Sequence, residues 1–328
     1  MKLNTNTMPA RLSPGLTLRP ARFSDADAVS HLTAAYWMAM GDGVLSISPD
    51  EMRRFWNSPG LSLETDTWVV ETAEGRIVGY EEFFNRHDHA VLVGEGYVHP
   101  DFQRRGIGTV LLQQLVHRAG QESALAAPGA RVFLRNGVSA ADASGRGLHE
   151  TEGFRPIRHS WRMQIQVAEP RSPIWPDGLS LQPFDRAVHD PLLFEAHELA
   201  FADHFGHTPF TLETWQHHVS GRQDFDPGLW HVAWHGALIA GYSICNSGQG
   251  VGWVDKLGVL PQWRRRGLGL ALLEHSFNAF LQRGLPIVTL GVDAANPTGA
   301  TRLYERAGMR VASEIIRYEK ELRPGQPS

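Results

Sequence analysis

The stretch VLPQWRRRGLG (residues 259–269) has a twin, VHPDFQRRGIG (residues 98–108), and the reading of this pair decides the fold. Each follows an apolar, β-branched run that closes on a valine, Val259 or Val98, two positions before a proline. Each precedes a helical spacing of apolar residues: Leu270, Leu273, Phe277 and Leu281 in one, Ile107, Leu111, Leu115 and Ala119 in the other. A strand, a basic glycine loop and a helix therefore follow one another twice. Gly106, Gly108, Gly267 and Gly269 let a backbone approach a ligand without a Cβ in the way. The first helical turn offers unpaired N–H groups and the positive end of the helix dipole, which suit a pyrophosphate. Gln103, Arg104 and Arg105, and Arg264, Arg265 and Arg266, add side-chain donors, the arginines charged. The spacing G-x-G-x-x-G of a dinucleotide loop and the GK-Ser/Thr of a triphosphate loop are both absent. A basic surface turn with a glycine hinge is the bland alternative, and the second copy argues against it.

Working outward, the other landmarks repeat in the same order at a separation of roughly 160 residues, the mark of a duplication. LRP from Leu18 returns as LQP from Leu181, WVVETAEGRIVGY from Trp68 as WHVAWHGALIAGY from Trp230, and LHETEGF from Leu148 as LYERAGM from Leu303. A proline-rich break at 168–177 separates the copies, which predicts a leader over 1–14 and domains over 15–167 and 178–323. Each copy reads as a first strand (residues 16–19; 179–182), a helical stretch, a hairpin, the strand before the loop, and the helix after it. A buried strand (132–134; 287–292), a further helix and a closing strand then complete each copy. The fold class is mixed α/β, one sheet with helices per copy.

Composition narrows the function. The chain has 328 residues, a formal net charge of -4 and a 42% hydrophobic share, which gives no support to a nucleic-acid partner. The single cysteine, Cys245, forms no intramolecular disulfide and fits a reducing cytoplasm. No apolar run reaches the roughly 18 residues of a membrane span. One cysteine and no HExxH make a metal site improbable, despite His204, His207, His217, His218, His231 and His235.

The pattern Gln/Arg-x-x-Gly-x-Gly after a strand ending in Val-x-Pro resembles the acetyl-CoA loop of the GNAT superfamily of N-acetyltransferases, over nearly the whole of both copies. The resemblance implies that the strand before the loop splays from its neighbour and that acetyl-CoA lies along Leu257, Gly258 and Val259. Its pyrophosphate would rest on Arg264, Arg265, Arg266, Gly267, Leu268, Gly269 and Leu270. Tyr97 and Val98, then Gln103, Arg104, Arg105, Gly106, Ile107, Gly108 and Thr109, offer the same places in copy one. The motif LYERAG makes Tyr304 the implied acid for the departing thiolate, and Asn296 the cofactor-side asparagine, for which a cap before Pro297 is an equal explanation. Copy one has His149 where Tyr304 stands and Ala141 where Asn296 stands. A histidine can in principle protonate a thiolate, but a copy that has kept its loop and lost efficient chemistry is the simpler expectation. The layout is similar to the mycothiol synthase type of tandem GNAT, which acylates the amine of a cysteinyl pseudo-disaccharide.

The implied reaction is direct acetyl transfer from acetyl-CoA to a small-molecule primary amine, by a cytoplasmic monomer or homodimer. An ammonium must first lose a proton. Asp255 is the nearest acid on the strand before the second loop and Glu95 before the first, although Asp255 beside Lys256 also reads as a surface ion pair. Asp203, Phe205, Trp215, Asp224, Asp226 and Trp230 fall where acceptor-binding segments of the family lie; the alternative makes both tryptophans core and residues 226–228 a turn. An antibiotic-modifying acetyltransferase and a non-catalytic acyl-CoA-binding regulator are the rival functions.

Overall fold

A computed structural model describes residues 11–202, 211–221, 225–296 and 298–326. Contacts divide the chain into two units, Met1–Ser160 with Ser313–Ser328, and Trp161–Ala312. The first half carries β1 (Leu16–Pro20), α1 (Ala26–Ala39), α2 (Pro49–Trp56), α3 (Leu63–Asp66), β2 (Thr67–Thr72), β3 (Ile77–His87), β4 (Val91–Val98), α4 (Ile107–Ser123), β5 (Val132–Ser139), α5 (Ala143–Thr151) and β6 (Arg155–Gln166). The second carries β7 (Ser180–Gln182), α6 (Arg186–Phe201), α7 (Leu212–Trp215), β8 (Trp230–His235), β9 (Leu238–Gly248), β10 (Val251–Val259), α8 (Leu268–Gln282), β11 (Ile287–Asp293), α9 (Ala300–Arg306) and β12 (Arg310–Arg323). Mixed α/β architecture is thus present in both units. Among the described residues no helix is long and apolar enough to cross a membrane.

In the first unit, β1 to β4 pair antiparallel and β4 pairs β5 in parallel. Alternation along β3 explains the two layers. Gly79 and Phe83 face α4, where Ile107, Leu111, Leu115 and Ala119 are buried as their spacing predicts. Tyr80 faces α1 and α2, in a core with Tyr36, Trp37 and Trp56. Ser48 and Glu51 form a reciprocal capping box that starts α2.

The second unit repeats this plan, with one shift of face. The spacing predicts a buried stripe of Leu270, Leu273, Phe277 and Leu281, but Leu270 and Leu281 are only partly buried. The buried arc runs instead through Leu268, Leu272, Leu273, Ser276, Phe277 and Phe280. Glycines on the sheet explain the shift. A Cβ at Gly241 would lie 3.1 Å from Leu268 and 3.2 Å from Leu272, and one at Gly252 would lie 2.5 Å from Phe280. The bare backbone admits those three side chains and turns the helix onto them.

The closing strands depart further from expectation. Each copy was expected to be completed by its own last strand. The first unit is instead completed by Ser313–Ser328, where Ile315 to Arg323 of β12 pair antiparallel with β5. Arg131 and Arg135 on that unit's sheet bind Glu319, and Arg131 also binds Glu321. The second unit receives residues 161–166 of β6, which lie beside β11; Thr289 Oγ1 donates to Met163 O at 2.9 Å. The expected linker 168–177 lies inside the second unit, where Arg171 N donates to Asn278 Oδ1 at 2.7 Å and Asn278 Nδ2 donates back to Arg171 O at 3.0 Å. Of the expected leader, residues 1–10 lie outside the described residues. Beyond them, Leu12 packs on the first core and Ser13 Oγ donates to Arg105 O at 3.2 Å.

Candidate active site

Both glycine loops have the same backbone. Arg104 and Arg265 are left-handed, with φ of 59° and 61°, and Gly106 and Gly267 follow at 80° and 89°, each capping its helix. A non-glycine residue in that region is strained by about 1–2 kcal/mol, and two identical outliers in a repeat point to a ligand cradle. Left-handed residues in a turn ahead of a helix are the backbone conformation from which anion-binding concavities are made, and both loops have them in front of α4 and α8. Arg105 stacks over Phe102 at 4.7 Å and Arg266 over Trp263 at 4.9 Å. Arg264 is differently employed: its Nε donates to Val259 O at 3.1 Å and its Nη2 to Ala200 O at 3.2 Å, so it ties β10 to α6.

The strand before each loop does splay. β4 registers with β5 from Val91–Phe133 to Gly94–Asn136, and β10 with β11 only at Gly252–Val288 and Trp253–Thr289. Among the described residues, the edges beyond, which include Tyr97 and Val98 in one unit and Leu257, Gly258 and Val259 in the other, have no strand partner on that side. Such an edge presents backbone donors and acceptors to an extended ligand.

The helix after the splay is seated on the cradle in the same way twice. A Cβ at Gly269 would stand 3.1 Å from Leu303 and 3.5 Å from Val259; at Gly108 it would stand 3.1 Å from Leu148 and 3.6 Å from Val98. These seats bring Tyr304 of α9 and His149 of α5 to matching places. Tyr304 is buried, burial pushes its phenol up to about 12, and among the described residues its hydroxyl has no hydrogen-bond partner. Asn296 caps its own turn: its Oδ1 accepts from Thr298 N at 2.9 Å and Thr298 Oγ1 at 2.6 Å, while Gly299 is the N-cap of α9. Pro297 lies outside the described residues.

Asp255 sits on a register shift between Val254 and Lys256, a bulge that re-aims its side chain. It is exposed and accepts from Lys256 Nζ at 3.1 Å. The first unit has no such shift at Glu95, which pairs regularly with Glu82.

The face of β10 toward α6 carries residues that sequence reading missed. Tyr242 lies across Gly258, whose Cβ would be 2.4 Å from the ring, and His197 Nδ1 meets Tyr242 Oη at 2.8 Å. Burial, with the Glu198 carboxylate nearby, holds Tyr242 well above the usual phenol range. The only sequence signal was the pairing of Tyr242 with a glycine across the hairpin. Trp215 is core, its Nε1 donating to Asp190 Oδ1 at 2.8 Å, and Trp230 packs between Phe184 and Phe225. Asp226 caps its turn and binds Arg283. Both tryptophans thus lie in the core and Asp226 in a turn, while Trp230 also lines a pocket with Phe184, His231, His275 and Arg283. His231 is buried against His275 at 4.6 Å, and His235 is exposed with its ring 4.9 Å from that of Trp263. Asp203, His204, Phe205, His207, Asp224 and the side chains of His217 and His218 lie outside the described residues.

In the first unit a cavity of about 300 Å³ runs from Gln103, Gly106 and Gly108 into the splay between Gly96 and Asn136, with Glu81 and His149 on its wall. A phosphate-bearing thioester carrier fits this shape: glycines at the mouth, strand edge along the side.

Comparison with known proteins accords with the geometry. Residues 191–309 match the model of the acetyltransferase (GNAT) family, and residues 64–156 that of an acetyltransferase (GNAT) domain. A mycothiol acetyltransferase of Catenulispora acidiphila is 28% identical over 94% of this chain and 99% of its own length. One from Thermobispora bispora is 31% identical over 69% of this chain and 75% of its own. The crystal structure of a GCN5-related N-acetyltransferase from Sphaerobacter thermophilus is 34% identical, covers 97% of this chain and 99% of its own, and superposes with a TM-score of 0.84.

Proposed function

The chain belongs to the GNAT family of acetyltransferases, and from that premise we propose that its C-terminal copy transfers an acetyl group from acetyl-CoA to the primary amine of a small molecule. Acetyl-CoA supplies the activated thioester. The N–H groups at 267–269, with Arg265 and Arg266 beside them, hold its diphosphate, and the edge of Leu257, Gly258 and Val259, which has no strand partner on that side, orients the pantetheine arm. An amide of that edge polarises the thioester carbonyl. Asp255, aimed by its bulge, takes the proton that the ammonium must lose.

Tyr304 serves the sulfur. Its phenol stays protonated because burial pushes it up to about 12, so it offers a donor at neutral pH. Full transfer to a thiolate, whose thiol has a pKa near 8.5, is uphill. Tyr304 therefore acts by donating a hydrogen bond as charge develops on sulfur. The observation that supports this reading is the close approach of Leu303 to the bare backbone of Gly269 in the cradle, with the buried Tyr304 next to it in the chain. Tyr304→Phe should lower kcat about 100-fold and leave the Kd for CoA unchanged. Unchanged kcat would remove Tyr304 from the chemistry. The mycothiol acetyltransferase relatives make the cysteinyl amine of the mycothiol precursor the first acceptor to assay.

A further inference from the structure

Two buried polar atoms in the first unit have no role in this reaction. Glu81 Oε1 and His149 Nε2 lack a hydrogen-bond partner among the described residues, although their side chains are 4% and 8% exposed. Both residues line the cavity that begins at Gly106 and Gly108. A buried polar atom without a partner is costly, and two on one cavity wall mark a ligand site.

The polarity of His149 follows from its contacts. The ring is packed against Phe154 at 5.2 Å and Tyr318 at 5.4 Å, and its Nδ1 faces Gly145 O at 2.8 Å. A carbonyl oxygen only accepts, so Nδ1 carries the proton. Burial opposes a second proton more than Asp142 favours it, and the ring is neutral near pH 7. Burial and the Glu95 carboxyl raise the Glu81 carboxyl well above the usual carboxylate range, which favours its neutral form. Nε2 therefore presents a lone pair, and His149 cannot protonate a thiolate. At the matching place Tyr304 presents an O–H. A free thiol has a hydrogen to give; a thioester sulfur has none.

We propose that the cavity of the first unit is a site for free CoA, chosen over acetyl-CoA by a hydrogen bond from the thiol to His149 Nε2. The Glu81 carboxyl meets carbonyls of the pantetheine arm that both ligands carry, so it adds affinity without selectivity. The proposal rests on the reading that the cradles hold CoA. Its occupancy would follow the ratio of released CoA to acetyl-CoA.

The test uses the full chain with Arg265→Glu and Arg266→Glu, which reverses the charge at the second cradle and leaves the first to be titrated. Calorimetry with CoA, acetyl-CoA and desulfo-CoA should find CoA about five- to tenfold tighter than the other two. His149→Phe should erase the difference by weakening CoA alone, and should His149→Phe not fold, the desulfo-CoA comparison decides. Equal affinities, or tighter acetyl-CoA, overturn the proposal. Binding of none of the three to this variant, while the unmodified chain binds one equivalent of CoA, also overturns it and leaves the C-terminal reading standing. An unmodified chain that binds no CoA would sink that reading as well.

Discussion

Gly106 and Gly267 share a left-handed backbone but not the space around it. A Cβ at Gly267 would meet nothing within 4 Å, whereas one at Gly106 would stand 2.9 Å from Arg11 O. Gly267→Ala should then cost only the backbone strain, about 1 kcal/mol, and Gly106→Ala distinctly more, read as the larger loss of Tm. His231 gives a test by pH. Burial, with His275 and Arg283 adding to it, pulls its pKa from 6.5 to about 3, so the folded state prefers the neutral ring. Its contribution is whole above pH 6.5 and falls by about 1.4 kcal/mol per pH unit below it, down toward pH 3. His231→Phe should flatten the decline of unfolding free energy in that window, measured by denaturant titration at pH 7, 5.5 and 4.5; an unchanged slope would show that other groups set it. At this scale the sequence revealed the residues that lie in motifs. The glycines stood out by spacing and Tyr304 by the family motif that LYERAG resembles, but Tyr242, His197 and Glu198 did not, because their meeting depends on which strand face the helix covers.

Elements were legible where a pattern had one solution. The loop-helix junctions, the hairpins and the α4 stripe followed from spacing alone. The face of α8 did not, because three large side chains enter holes left by Gly241 and Gly252, and periodicity records the helix but not the surface opposite. The bulge at Asp255 was equally hidden, since one extra residue leaves no mark in an apolar strand. β12 offers a test of what holds an element in place. Glu319 is mostly buried and receives both Arg131 and Arg135. Glu319→Gln should lower stability by about 1.5 kcal/mol, because two guanidinium groups lose a charged acceptor while the half-exposed Arg131 keeps Glu321. Chemical denaturation measures it, and a change below about 0.5 kcal/mol would make the pairing superficial.

The molecule is a duplication whose copies are not self-contained. Repeat analysis alone assigns each closing strand to its own half, because both strands alternate alike and each has the same neighbour motif. The partition at Ser160 and Ser313 gives the first unit a strand from the far end of the chain. A fragment of residues 1–167 should therefore aggregate, with the edge of β5 uncovered, and a peptide of residues 310–326 should restore its solubility and raise its Tm. A soluble, cooperatively melting fragment without the peptide would contradict the exchange.

That exchange also inverts the order in which the two halves are finished. The half that leaves the ribosome first waits for β12 to be translated, while its successor can already close around residues 161–166. Synthesis thus holds the amino-terminal core open until β12 has been made, and a premature stop codon upstream of β12 would spoil the half already made.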